Sequence, residues 1–286
     1  MLRKIKTGIK GVRFLKEELG ISYMQIIKTA LTKGKFNLLI NGIQINADLR
    51  KAFYIAINLH EIKKAGWEIS VVNNFVMYRK ENVKLYGKIN EDFGYAATIN
   101  EVFVKEAYKA DVKDKVVIDV GAYRGESSIY FALQGAKKVI ALEPAEESYE
   151  FALMNIKENK LEDKIVILNK AVAPQRGYIS LYVLPNAPAC NSTVSAPNAE
   201  VKQVETITLD DVIKMTGGER IGLLKMDCEG CEYSVLSSFS HFDKIDGIIL
   251  EYHNGPQQLP SLLKSNGFEV KVKNVRGKVG YLKAFR

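Results

Sequence analysis

The sequence predicts an α/β protein: a parallel sheet with helices on both faces, preceded by a helical and small antiparallel extension. Three observations carry this reading. From about residue 110 onward, apolar runs of strand length such as "KVVIDVGA", "KVIALEP" and "IGLLKMD" alternate with amphipathic segments of helix length, the pattern of strands buried on both faces. Glycines and polar residues stand at the ends of those runs, where the chain must turn. Before residue 110 the texture differs, with helical periodicity first and then short strand-like runs separated by Asn, Lys and Gly. At 286 residues, 47% of them hydrophobic and only 7 proline, the chain can bury one large core, or a medium core with an extension.

In chain order, "FLKEEL", "SYMQIIKTAL" and "YIAINLHEIKKAG" read as helices, and "WEISVV", "FVMYRK" and "VKLYG" as strands of a small antiparallel element. They make up an N-terminal extension, residues 1–100, that carries no recognisable motif and is a candidate for acceptor recognition. The sheet domain, residues 101–286, then begins. "KVVIDVGA" leads into the helix "SSIYFALQGA", "KVIALEP" leads into "ESYEFALMNIKEN", and "KIVILNKAV" is the third strand. Later, "IGLLKMD" leads into "CEYSVLSSF", "IDGIILEYH" leads into "QLPSLLKSNG", and "FEVKVKNV" and "GYLKAFR" close the sheet. Ligands of such sheets bind beyond the carboxyl ends of the strands, where the strand order reverses.

Composition removes several function classes. Basic residues outnumber acidic ones by 41 to 33, a net charge of +8 that would suit a polyanionic partner or an anionic membrane surface. Part of that excess is local, in "MLRKIKTGIKGVRFLKEELG", which reads as an ordinary surface helix in preference to a membrane-lying one. No run approaches the ~18 apolar residues of a spanning helix. Three cysteines do not form a disulfide framework, and no secretory leader pattern stands at the start. The expectation is a cytoplasmic protein without a membrane span.

The first strand end, "VVIDVGAYRGES", raises a cofactor question. Asp119 closes the strand, and Gly121, Ala122, Tyr123 and Gly125 form a turn that a ligand can approach closely. The GxxxG spacing is neither the GxGxxG of dinucleotide binders nor a P-loop. At the second strand end Glu143, followed by Pro144, offers a carboxylate that can accept hydrogen bonds from both hydroxyls of a ribose. Asn169 and Ala171, at the third strand end, fall where a base would lie. Nucleoside recognition without a phosphate cradle points to S-adenosylmethionine.

The quoted loop, together with "VIALEP", "NIKENK", "NKAVAP", "VETITLDDVI" and "LLKMDCEGCEYSVL", resembles the FkbM-type S-adenosylmethionine-dependent methyltransferases over roughly the C-terminal two thirds of the chain. The ordered set DVGA, EP and KMDxEGxE is specific where each part alone is not. The resemblance implies a class I methyltransferase (Rossmann-like) fold of seven mostly parallel strands with the last antiparallel. It places Asp119, Gly121 and Glu143 around the cofactor, and Lys225, Asp227, Glu229 and Glu232 at the reaction side. It also implies methylation of hydroxyl oxygens, often on sugars or secondary metabolites.

Chemistry constrains the reaction side further. A neutral alcohol is a poor nucleophile, so a carboxylate or imidazole must stand near the methyl to take its proton. Asp227 closes its strand, Glu229 and Glu232 are spaced to share one face of the next helical turn, and His253 closes the following strand. These four, with Lys225, are the candidate catalytic residues. A divalent ion on the same acids and imidazole would also acidify a hydroxyl, but their spacing fixes no coordination geometry, and a metal-free site is the expectation. Cys228 and Cys231 spell CxxC, yet a zinc site would need a second ligand pair and the remaining cysteine is Cys190 in a loop, so both read as small buried hydrophobes, with a disulfide between them left open as in proteins of thermophiles. These readings converge on an O-methyltransferase acting on a hydroxyl of a sugar, glycolipid or related metabolite. The alternatives are an RNA methyltransferase, against which the absence of an N/DPPY-like strand end argues, and a non-catalytic cofactor-binding module.

Overall fold

A computed structural model describes residues 12–32, 34–40, 43–89, 94–183 and 199–286. The chain divides into two compact units, Met1–Ala107 and Tyr108–Arg286. The basic start up to residue 11 and residues 184–198, which hold Cys190 and most of the loop "LPNAPACNSTVSAPNAE", lie outside the described residues.

The first unit contains helices α1 (12–19), α2 (Tyr23–Thr32), α3 (Leu49–Lys64) and α4 (Tyr95–Ile99), the last continuing into a π-helical turn, Asn100–Val104. Helix α3 starts where the Asp48 side chain accepts a hydrogen bond from the Lys51 amide, satisfying one of the amides a helix start leaves open. Its stripe Ala52, Ile55, Ala56, Leu59 and Ile62 is buried, the i, i+3, i+4, i+7 spacing of a core-facing helix. Strands β1 (Phe36–Ile40) and β2 (Ile43–Ala47) pair antiparallel, and β3 (Glu68–Val72), β4 (Phe75–Lys80) and β5 (Val83–Lys88) form an antiparallel meander. Asn73 and Asn74, both at positive φ (48° and 65°), make the tight β3–β4 turn that matches strand twist. The meander was read from the sequence and the β1–β2 hairpin was overlooked. The unit runs past residue 100 because the π-helical turn extends α4, and the Asn100 side chain there donates to buried Asn58 at 2.9 Å.

The second unit is built on a seven-stranded sheet. Its strands are β6 (Val116–Val120), β7 (Lys138–Leu142), β8 (Ile165–Leu168), β12 (Ile221–Met226), β13 (Gly247–Tyr252), β14 (Glu269–Arg276) and β15 (Val279–Phe285), in the order β14-β15-β13-β12-β6-β7-β8. Strands β6, β7, β8, β12 and β13 run parallel, and β15 is antiparallel to both its neighbours. This is the arrangement that the resemblance implies. All residues of β6 and β12 are buried, as strands covered on both faces require. Helices α5 (Glu126–Leu133), α6 (Glu146–Glu158), α7 (Leu209–Lys214), α8 (Cys231–Ser238) and α9 (Leu259–Ser265) supply the cover. The chain leaves β6 in one direction through β7 and β8 and returns to β12 on the other side, so the order reverses between β6 and β12. That is the position where such sheets bind ligands.

One feature departs from the sequence reading. The third strand ends at Leu168, and Ala171–Val172 form a separate strand, β9, parallel to β11 (Glu200–Ile207), which pairs antiparallel with β10 (Gly177–Val183). The break comes at Asn169, whose side chain donates to the carbonyls of Glu143 (3.0 Å) and Pro144 (3.1 Å) and so ties the chain back to the end of β7. No helix among the described residues is long and apolar enough to cross a membrane.

Candidate active site

Two constellations stand at the carboxyl ends of the parallel strands. The first is a cradle made by the loop after β6 and the end of β7. Gly121 sits at φ 75°, and a Cβ there would lie 1.9 Å from the Asp227 carbonyl oxygen, so the β6 and β12 loops touch only because this residue has no side chain. The amides of Gly121 and Ala122 both donate to the Leu142 carbonyl, at 2.9 and 3.0 Å. Tyr123, at φ 48°, donates its amide to Glu143 Oε2 at 2.9 Å, and the Ala145 amide donates to Glu143 Oε1 at 2.9 Å. Burial pushes the Glu143 carboxyl up to about 7, although the two amide donors pull the other way. Gly125, at φ 83°, opens α5 where an added Cβ would lie 3.3 Å from the Cβ of Ala152 on α6.

Sequence reasoning missed what supports this loop. Arg124 is buried, its guanidinium 4.9 Å from the Tyr123 ring centroid and 4.6 Å from that of Phe151. Asp119 is wholly buried: Oδ2 accepts from the Ser127 and Ser128 hydroxyls at 2.6 Å each, and Oδ1 stands 3.0 Å from Lys225 Nζ. Lys225 also donates to the Gly121 carbonyl at 2.6 Å. Burial alone would lower the Lys225 ammonium, but the carboxylates of Asp119, Asp227 and Glu126 outweigh it and hold the pKa above the ordinary lysine range. Lys225, read from the sequence as a reaction-side residue, stands buried beneath the glycine loop, with Asp119 buried beside it. Glu126, beside them, is pushed up to about 8 by its burial. Of the residues expected near the base, Asn169 directs its amide group at backbone carbonyls, and Ala171 is buried in β9.

The second constellation gathers Asp227, Glu229, Glu232 and His253. Asp227 follows β12, and its Oδ2 accepts from the Tyr108 hydroxyl at 2.8 Å, a partner with no signal in the sequence. Glu229 and Gly230 both lie at positive φ, 53° and 116°, so the loop turns sharply before α8. Cys228 and Cys231 are joined in a disulfide across that turn, the alternative that the sequence left open, in place of the preferred reading as separate buried hydrophobes. Glu232, wholly buried on α8, stands 3.3 Å from His253 Nδ1, while His253 Nε2 is 3.4 Å from Glu229 Oε2 and 3.8 Å from Asp227 Oδ1. The loop carrying His253 is anchored by the Tyr233 hydroxyl, which donates to the Gly255 carbonyl and accepts from the Asn254 amide. Burial raises Glu229 to about 7. Burial would lower His253, but Glu232, Glu229 and Asp227 around it raise it to about 9.

The sheet order, with a glycine-loop cradle at its first two strand ends and an acid–imidazole cluster at the ends of β12 and β13, defines a class I methyltransferase. Residues 119–270 match the family model described as the methyltransferase FkbM domain, more than half of the chain, and the chain belongs to that family. It is an S-adenosylmethionine-dependent methyltransferase. A curated relative, methyltransferase sdnD of Sordaria araneosa, is 24% identical over 242 residues, 71% of this chain and 92% of its own length. Ribosomal protein L11 methyltransferase of Carboxydothermus hydrogenoformans is 39% identical over 77 residues, covering 27% of this chain and 25% of the relative. The crystal structure of methyltransferase FkbM from Methylobacillus flagellatus is similar at a TM-score of 0.46 and 13% identity, covering 65% of this chain and 47% of the other.

Proposed function

We propose that the protein transfers a methyl group to a hydroxyl oxygen of a sugar, glycolipid or related metabolite. The observation that carries this is the convergence of Asp227, Glu229 and His253 within 4.8 Å of one another, one strand away from the glycine loop. Oxygen methylation needs such a cluster, because a neutral alcohol must surrender its proton as it attacks. The same strand end lacks the N/DPPY-like run of many base-amine methyltransferases.

The cradle fits the cofactor. Each Glu143 oxygen takes one backbone amide and keeps a further lone pair for a ribose hydroxyl, while Gly121, lacking a side chain, lets the loop after β6 lie close against the loop after β12. When bound, S-adenosylmethionine supplies an electrophilic methyl on a sulfonium. The chain's own residues do the rest: Glu143 and the glycine loop fix the nucleoside, Asp119 and Lys225 hold that loop in place, and the Asp227 cluster orients the acceptor hydroxyl and receives its proton. The charge of +8 keeps an RNA acceptor as the rival to be tested.

The deciding experiment is incubation of the protein and methyl-labelled S-adenosylmethionine with fractionated cell extract. The expected result is base-stable label, as in an ether, in small glycans or glycolipids. Label confined to RNA or protein overturns the acceptor class, and no label in any fraction overturns the enzymatic reading in favour of a binding module.

A further inference from the structure

We propose that Asp227, Glu229 and His253 form a binding site for a divalent cation, with Glu232 orienting the imidazole, and that this ion receives the acceptor oxygen. Its use in catalysis rests on the O-methyl transfer reading; its existence rests on geometry alone.

Each of the three residues offers one ligand atom, and these atoms lie within 4.8 Å of one another. Ligand atoms ~2.1 Å from a common ion are separated by roughly 3 to 4.2 Å, depending on the angle between them. The 3.4 Å from His253 Nε2 to Glu229 Oε2 and the 3.8 Å to Asp227 Oδ1 fall inside that range. The imidazole is presented correctly for ligation. With Nδ1 held 3.3 Å from Glu232 Oε1, the other nitrogen faces the two carboxylates, the arrangement in which a buried carboxylate fixes the tautomer of a metal-bound histidine.

Glu232 supplies the independent observation. It is wholly buried, and its Oε2 has no hydrogen-bond partner among the described residues. A buried carboxylate of that kind is costly unless positive charge stands close by. Among the described residues, the ion-pair partner of Glu232 is the His253 imidazole alone. Three carboxylates, Asp227, Glu229 and Glu232, surround one imidazole, while the nearby Lys225 is paired with Asp119. A divalent cation, displacing any proton on Nε2, offsets that excess and leaves open positions for an acceptor oxygen. The mixed carboxylate and imidazole set suits an ion that takes both oxygen and nitrogen, such as Mn²⁺. A hydroxyl on that ion would be acidified before attack.

The test uses the full chain with Mn²⁺ alone, neither cofactor nor acceptor present, and electron paramagnetic resonance to count bound ion. One Mn²⁺ per chain at submillimolar concentration is expected, with modulation from ¹⁵N-labelled histidine that is lost in His253→Gln. Glu229→Gln and His253→Gln should weaken binding at least tenfold, and Glu232→Gln by ~10- to 100-fold, the effect of removing an outer-shell partner, with S-adenosylmethionine affinity unchanged in each. Glu229 is half-buried on a loop, so its variant reports even if a core variant fails to fold. Absence of stoichiometric Mn²⁺, or binding that survives all three substitutions, overturns the site. Undiminished methyl transfer by metal-stripped protein overturns its catalytic use. The extract experiment judges the acceptor class separately, since Mn²⁺ binding requires no methyl transfer.

Discussion

The cradle and the acid–imidazole cluster occupy adjacent strand ends of one sheet but are built in opposite ways. In the cradle, Glu143 is held by two backbone amides and the glycine loop by the Leu142 carbonyl and Lys225. The cluster is held by side chains, with carboxylates crowded around His253 and a loop at positive φ. Backbone hydrogen bonds fix position at little electrostatic cost, which suits the proposed role of recognising one invariant cofactor. Crowded charges raise pKa values and keep groups reactive, which suits a site that must handle a proton or a cation. The division implies that binding and chemistry can be disturbed separately, except where the two regions touch.

They touch at Gly121, and a substitution there should have the largest effect. The Cβ of Gly121→Ala would sit 1.9 Å from the Asp227 carbonyl oxygen at a φ of 75°, so overpacking and backbone strain add to a destabilisation on the order of 4 kcal/mol. Urea unfolding should register it, and both cofactor affinity and turnover should fall together. A variant of wild-type stability with both activities intact would show that the loops do not meet as described. Next in size is Asp227→Asn, which should leave cofactor affinity unchanged by calorimetry while lowering turnover by ~10²–10⁴-fold. Equal losses in binding and turnover would mean that the cluster supports the cradle and does not act on the acceptor.

The sequence made the cradle more legible than the cluster, for a physical reason. Strand-end glycines and a following acid are local signals, and the fold delivers consecutive strand ends to one face, so Gly121, Gly125 and Glu143 could be named from their positions. The pairing of Lys225 with Asp119 was not legible, because a lysine at a strand end looks identical whether it faces the cleft or the loop beneath it, and only the buried group of Asp119, Ser127 and Ser128 shows where it lies. Tyr108 reaches Asp227 from 119 residues away, a contact that no local pattern encodes. The β1–β2 hairpin was missed although "FNLLINGIQINA" carries the Asn-Gly signal of a tight hairpin. The disulfide was left undecided because spacing alone does not distinguish a CxxC that pairs from one that merely packs.

A smaller effect sharpens the account of the cradle through pH. The folded Glu143 carboxyl stands at about 7, above its unfolded value of ~4.3. Its contribution to the stability of the unliganded protein is therefore full below ~4.3 and is lost as pH rises through about 7. Cofactor binding runs the other way. Ribose hydroxyls donate to the ionised form, so affinity should rise with pH up to about 7 and then level, with a slope approaching tenfold per pH unit on the acid side. Glu143→Ala should weaken binding by about 1.5–3 kcal/mol and flatten that slope. A pH-independent affinity in the parent protein would detach Glu143 from the ribose.

The smallest effect belongs to the disulfide, which borders the cluster without joining its chemistry. Cys228 and Cys231 are three positions apart, and closing so short a loop restricts the unfolded chain by about 2 kcal/mol at most. On the proposed reading, the carboxylates of Asp227 and Glu229 and the imidazole of His253 meet the acceptor, and none depends on sulfur for its charge. The double variant Cys228→Ala with Cys231→Ala should therefore lose up to about 2 kcal/mol of stability in urea unfolding while methyl transfer falls by less than tenfold. Reduction of the parent protein should match it. A reversible on-and-off response of turnover to reductant and oxidant, absent from the double variant, would make the disulfide a control element and draw the turn at Glu229 and Gly230 into the catalytic machinery.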